Sequence, residues 1–122
     1  SRIHLIAAIL EKFAALKLSQ CDIFVRVNGG TQLSEPAGDL ALLFAMASSY
    51  LERPLPVKRA VAGQVSLTGE IRSPGGLEER RRALLQWKIP NAVWGGIKEK
   101  GATVPGEKFV SFIDKDLKIL EA

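Results

Sequence analysis

A chain of 122 residues with 47% hydrophobic and 25% charged residues fits one domain with one sizeable core and is too apolar to be disordered. Its formal charge of +4 allows a polyanionic partner without requiring one. The single cysteine, Cys21, excludes an internal disulfide and fits a reducing, cytoplasmic setting; with only one histidine, His4, a zinc site of the usual kind is not expected either.

No apolar run reaches the roughly 18–20 residues of a membrane span, so no membrane partner is expected. The N-terminus lacks the charged, apolar, small-residue order of a signal peptide. It opens directly into an amphipathic segment, which reads as one domain, 1–122, excised from a longer chain.

In chain order, Ile3, Ile6, Leu10, Phe13 and Leu16 are spaced for one face of a helix over 3–17, with Glu11, Lys12 and Lys17 left in solvent. DIFVRVNGG alternates as a strand: Ile23, Val25 and Val27 share one face, Phe24 and Arg26 the other, and Asn28-Gly29-Gly30 ends it. A second helix is expected from Pro36 to Leu51, capped by Ser34 or Glu35. Leu40, Leu42, Leu43, Phe44 and Met46 run almost all the way round it, so it should be the central core helix.

ERPLPVK is a loop, and AVAGQVSLTGEIR reads as two short strands joined around Ser66–Thr68. A third helix follows SPGG, with Leu77, Leu84 and Leu85 as its apolar side and Glu78 placed to pair with Arg82. NAVW and FVSFI read as strands, GGIKEKGATVPGEK as a surface loop, and DKDLKILEA as a short final helix. Interspersed elements with an adjacent hairpin make an α+β, two-layer domain with a mixed sheet packed on helices.

Few residues carry obvious chemistry. There is no GxxxxGK[ST], and Gly29-Gly30 lacks the continuation of a dinucleotide fingerprint, so nucleotide binding is not expected. Glu35 and Asp39 at a helix start suit the helix dipole, worth ~0.3–1 kcal/mol each when exposed, better than an acid–base pair. His4 reads as a surface or core-edge histidine, and Cys21 as a half-buried small hydrophobe. Arg80, Arg81 and Arg82 span ~300° of a helix and cannot all face one ligand. They form either a solvated face with local ion pairs, or one inward arginine with others free for a phosphate or a neighbouring subunit.

Together DIFVRVNGG, EPAGDLALLFAMASS and GQVSLTGEIRSPGGLEERRRALL resemble the Lon-protease-like domain at the C-terminus of the RadA (Sms) family of bacterial DNA repair proteins. The family pattern of Glu-Pro-Ala, a small residue, then an Asp-Leu-Ala-Leu-Leu run stands here as residues 35–43. A second pattern stands at residues 63–72, with Gln64 in place of the usual Glu.

Lon proteases carry a catalytic serine at this helix start and a catalytic lysine in a later G-G-L-K-E-K segment. The resemblance lays those positions on Ala37 and Arg80. Ala has no hydroxyl, and a guanidinium with a pKa above ~12 cannot serve as the base. The resemblance therefore implies no catalytic residue in this domain, while full-length proteins of the family are DNA-dependent ATPases. Zinc, ATP and magnesium would belong to segments of the family outside these residues.

What the resemblance further implies is a hexameric ring acting in homologous recombination and branch migration, with this domain supporting assembly and sequence-independent DNA binding. Charge and expected exposure nominate Arg26, Lys58, Arg59, Arg72, Arg81, Arg82 and Lys88 as phosphate contacts. Two other readings stand beside it. One is an active peptidase using Ser34, Ser48, Ser49, Ser66 or Ser73. The other is a pure oligomerisation module that never touches DNA.

Overall fold

The computed structural model describes residues 1–28, 35–101 and 104–122. Ser1 caps the first helix, α1 (Arg2–Ala14), its hydroxyl accepting the His4 N–H. Ala15 then turns into the left-handed region at φ 57° and its N–H closes back on Leu10. The helix is thus shorter than its apolar spacing suggests. Leu16 and Leu18 are buried beyond its cap, the latter on a 3-10 turn, Leu18–Gln20. Cys21 follows it and is exposed, which corrects the half-buried expectation. His4 is exposed and bonds Ser1 Oγ, as a surface histidine should.

Residues 22–28 form no strand among the described residues, although they alternate like one. Ile23 and Val25 do pack against the core, while Phe24 is 93% exposed. Alternation records which side of an extended chain is buried; only a hydrogen-bonded neighbour makes it a strand. Val27, expected beside Ile23 and Val25, is exposed. Gly29, Gly30 and the expected cap Ser34 lie outside the described residues.

A single 3-10 turn, Pro36–Gly38, leads into α2 (Asp39–Leu51). Leu40, Leu42, Leu43, Phe44, Met46 and Ala47 are all buried, as the all-round pattern requires. The loop after it ends at β1 (Arg59–Ala62). Next comes a hairpin, β2 (Gln64–Val65) and β3 (Ile71–Arg72), then α3 (Leu77–Gln86), β4 (Asn91–Gly95) and β5 (Glu107–Val110). β1, β4 and β5 form a parallel sheet in that order, and β2 pairs antiparallel with β3.

The α+β class stands, but helices lie on both faces of the parallel sheet where two layers were expected, and the expected mixed sheet is a parallel sheet with a separate antiparallel hairpin; three boundaries also move. AVAGQVSLTGEIR holds three strands in two sheets, because Ala60–Ala62 pairs with β4. The strand expected at FVSFI starts earlier, at Glu107, and Phe112 forms only a bridge to Glu70. The final helix is one 3-10 turn, Lys118–Glu121.

Helices α1 and α2 cover one face of the parallel sheet, with Val61, Val93 and Val110 turned towards them. On the other face Ala60, Ala62, Ala92, Trp94 and Phe109 receive Leu77 and Leu84 of α3. Leu85, expected on the same apolar side, is 80% exposed.

Two backbone crossings place the start of α2. The Gly63 N–H donates to the Ala37 carbonyl at 2.9 Å, and the Leu40 N–H donates to the Gly63 carbonyl at 3.1 Å. Gly95 passes so close that a Cβ there would sit 2.3 Å from the Arg72 carbonyl oxygen and 3.0 Å from the Gly63 Cα. Beside this crossing Asp39, 2% exposed, receives Arg2 in a two-pronged pair at 2.6 and 2.5 Å and the Val65 N–H at 3.4 Å.

Two measurements check this account. Gly95→Ala should cost about 3 kcal/mol or more, since the clash is with backbone and cannot be relieved by a rotamer change. Asp39→Ala should cost about 3–5 kcal/mol, the loss expected when one partner of a buried pair is removed. Urea unfolding followed by circular dichroism reads both, and a change under 1 kcal/mol on this ~3 kcal/mol scale would contradict the packing described.

Candidate functional site

The resemblance to Lon proteases lays a nucleophile position at the start of α2. Ala37 occupies it, buried, with its carbonyl tied to Gly63. Arg80 lies on the first turns of α3, where its Nε donates to the Gly75 carbonyl at 2.8 Å and its terminal nitrogen reaches Glu35 at 3.4 Å. Glu35 is two residues before Ala37, so the SPGG turn and α3 are held against the approach to α2. The pair at this junction is a guanidinium and a carboxylate.

Three of the five serines weighed for a peptidase use their hydroxyls in local hydrogen bonds. Ser48 Oγ donates to the Arg53 carbonyl, Ser66 Oγ shares a hydrogen with Thr68, and Ser73 Oγ accepts the Gly75 N–H. Ser49 is exposed at the end of α2, and its carbonyl accepts the Glu52 N–H. Ser34 lies outside the described residues.

The basic residues sort into two groups that charge counting could not separate. Arg81 is held on both sides: it grips Glu107 at 2.6 and 2.8 Å and Glu78 at 3.0 Å. Glu78 thus pairs with Arg81 and not, as the spacing suggested, with Arg82. Arg59 lies over the Phe44 ring at 5.3 Å and donates to the carbonyls of Leu120 and Ala122, and burial lowers its pKa. Arg72 pairs with Glu70 at 3.2 Å on the hairpin. Arg26, Lys58, Arg82 and Lys88 are exposed and make no ion pair among the described residues. Of the seven nominated cations, these four are free to meet a phosphate.

Glu107 anchors the α3 face of the sheet. Its carboxylate is held below its usual pKa of 4.5, chiefly by the Arg81 hydrogen bonds, against the opposing cost of burial. The buried indole of Trp94 adds to this with the positive end of its N–H, although that group makes no hydrogen bond of normal geometry among the described residues.

No protein-family model matches the chain. Over 80 residues, 66% of this chain, it is 42% identical to DNA repair protein RadA of Mycobacterium tuberculosis, covering 17% of that protein. Over 80 residues, again 66% of this chain, it is 45% identical to the Streptococcus pyogenes protein of the same name, covering 18% of it. Over 79 residues, 64% of this chain, it is 46% identical to that of Salmonella typhimurium, covering 17% of it. This is a RadA-like domain. It spans about a sixth of the length of the curated relatives it matches.

One residue of the RadA-like domain was missed by charge counting. Trp87, just past α3 and next to Lys88, is 73% exposed. The signal was present as an aromatic followed by a lysine at a helix end, but only the fold shows that its ring is outside.

The Arg81–Glu107 pair yields a pH test. Because the folded pKa of Glu107 is depressed, its stabilisation is complete above the ordinary value of 4.5 and is lost as pH falls through the lower, folded value. Glu107→Gln should cost ~2 kcal/mol at neutral pH, and the gap between parent and variant should shrink at more acid pH. Thermal unfolding across pH reads the gap; one that widens on acidification would contradict the assignment.

Proposed function

We propose that this RadA-like domain serves DNA repair as a non-proteolytic scaffold that contacts DNA through its surface. The similarity to proteins named DNA repair protein RadA carries the reading, and the four uncommitted cations, Arg26, Lys58, Arg82 and Lys88, give it a physical means. Such contacts neutralise phosphates and do not read bases, so binding is sequence-independent. Ala37 and Arg80 at the positions of a Lon-type dyad support architecture over peptide hydrolysis.

The RadA-like domain would sit in a cytoplasmic protein that assembles as a hexamer for recombination and branch migration, with nucleotide and metal sites in its other segments. A ring multiplies weak contacts: six copies held together bind a polymer that one copy barely touches. No helix among the described residues is long and apolar enough to cross a membrane.

Fluorescence anisotropy with a labelled duplex tests the reading. Affinity of the 122-residue chain should be weak and should fall steeply between ~50 and ~200 mM salt. Arg82→Ala should lower the slope of log K against log salt by about one, as loss of one phosphate contact does. Arg81→Ala should instead act mainly on stability, because its guanidinium is already committed to Glu107. Salt-independent affinity, or peptide cleavage that persists through purification, would overturn the proposal.

A further inference from the structure

The C-terminal end of α3 presents an indole ring to solvent on a hydrogen-bonded turn. Trp87 is the cap residue, and its N–H bonds the Ala83 carbonyl at 2.9 Å. Lys88 follows in the left-handed region at φ 54°, its N–H on the Leu85 carbonyl, while the Ile89 N–H returns to Leu84 at 2.9 Å. These two bonds close a Schellman motif, the commonest way to end a helix rigidly. The position after the cap in this motif usually holds glycine, because a side chain there is strained. Here it holds a lysine. A large aromatic ring and an ammonium group are therefore displayed side by side on a fixed turn, and neither is used by the core.

Sheet topology brings a second cation to the same end. In the parallel register Arg59 faces Asn91, so the residues just before them in the chain lie at one edge of the sheet. Those residues are Val57-Lys58 on one side and Lys88-Ile89-Pro90 on the other. Lys58 is exposed and, like Lys88, has a left-handed backbone, at φ 55°. Arg59 holds the last turn of the chain nearby, which brings exposed Glu121 towards this end. Lys58 and Lys88, with Arg59 between the sheet and the last turn, outnumber that carboxylate. From Arg82 to Lys98 the chain carries no acidic residue. Positive charge with an exposed, pre-positioned aromatic face complements a polyanion whose bases are free to stack.

We infer that Trp87 is a stacking platform for an unpaired nucleobase, flanked by Lys58 and Lys88 as phosphate contacts. The RadA-like domain then grips single-stranded DNA at this end of the sheet more tightly than duplex of equal length. The inference rests on the DNA-contacting reading above and names the form of the ligand. A duplex offers only phosphates here, since its bases are already stacked on one another. A single strand offers phosphates and a free π-face.

The two tryptophans make the test internal. Trp94 is 2% exposed, so a change in emission on adding DNA reports Trp87. The 122-residue chain is titrated with oligothymidylate and, separately, with a blunt duplex of the same length, with anisotropy of the labelled DNA read in parallel. The single strand should quench the emission and the duplex should not. Trp87→Ala should abolish the quench and weaken single-strand binding about tenfold, while Trp87→Phe keeps most of the affinity. Lys88→Gly should relieve backbone strain and raise the melting temperature, yet weaken binding; a merely structural role would not separate the two.

Single-strand affinity unchanged in Trp87→Ala, with salt-sensitive binding retained, would overturn the stacking site and leave the DNA-contacting reading intact. Absence of anisotropy change with either DNA would overturn both. A Trp87 emission that shifts with protein concentration alone, matched by growth in light scattering, would show a second copy on this face and overturn the inference.

Discussion

A single buried carboxylate ties together three parts of the chain that are far apart in sequence. Asp39 takes both prongs of Arg2 from α1 and the Val65 N–H from the hairpin, while itself forming the first turn of α2. A charge at this depth is costly unless it is paired and hydrogen-bonded, so its partners are confined to one arrangement. With them in place, the start of α2 cannot slide on β2, and the crossing of Gly63 with Ala37 and Leu40 is held in register. The glycines at 63 and 95 complete the constraint by letting backbone meet backbone where a side chain would not fit.

At the turn before α2, backbone, the buried Ala37 and the Arg80–Glu35 pair meet. The arginines divide by the partners the fold gives them. Arg59, Arg72, Arg80 and Arg81 are taken up by carbonyls and carboxylates of the domain, whereas Arg82, on the same helix, has no such partner among the described residues. A run of three arginines is one object in a sequence and three different ones on a helix, because each step turns the side chain by ~100°.

Residue identity was legible in advance: the match of residues 35–43 and 63–72 to the RadA pattern agrees with the similarity to RadA proteins over 80 residues, while the dyad positions laid on Ala37 and on Arg80 of the later SPGG segment remain an expectation of the resemblance. The all-round apolar pattern of α2 likewise announced a central helix, since no helix with that composition can face water. Less legible were the commitments of charged groups. Glu78 could have paired with Arg82 by spacing, and only the position of Glu107 on β5 draws Arg81 between two carboxylates. The exposure of Trp87 was equally hidden, because an aromatic at a helix end is as often a core plug as a surface plate.

Local periodicity, turn chemistry and residue identity therefore determined the three α-helices, the hairpin and the burial of α2, since each depends on a few neighbouring residues or on what a side chain is able to do. Tertiary structure decided that residues 22–28 lack a neighbouring strand among the described residues, that Ala60–Ala62 joins a parallel sheet, that Asp39 is buried, and which cations have no ion pair among the described residues. The reason is common to all four. Strand pairing, charge burial and ion-pair choice are contacts between residues distant in the chain, and their outcome depends on which partners the packed core brings within about 3 Å.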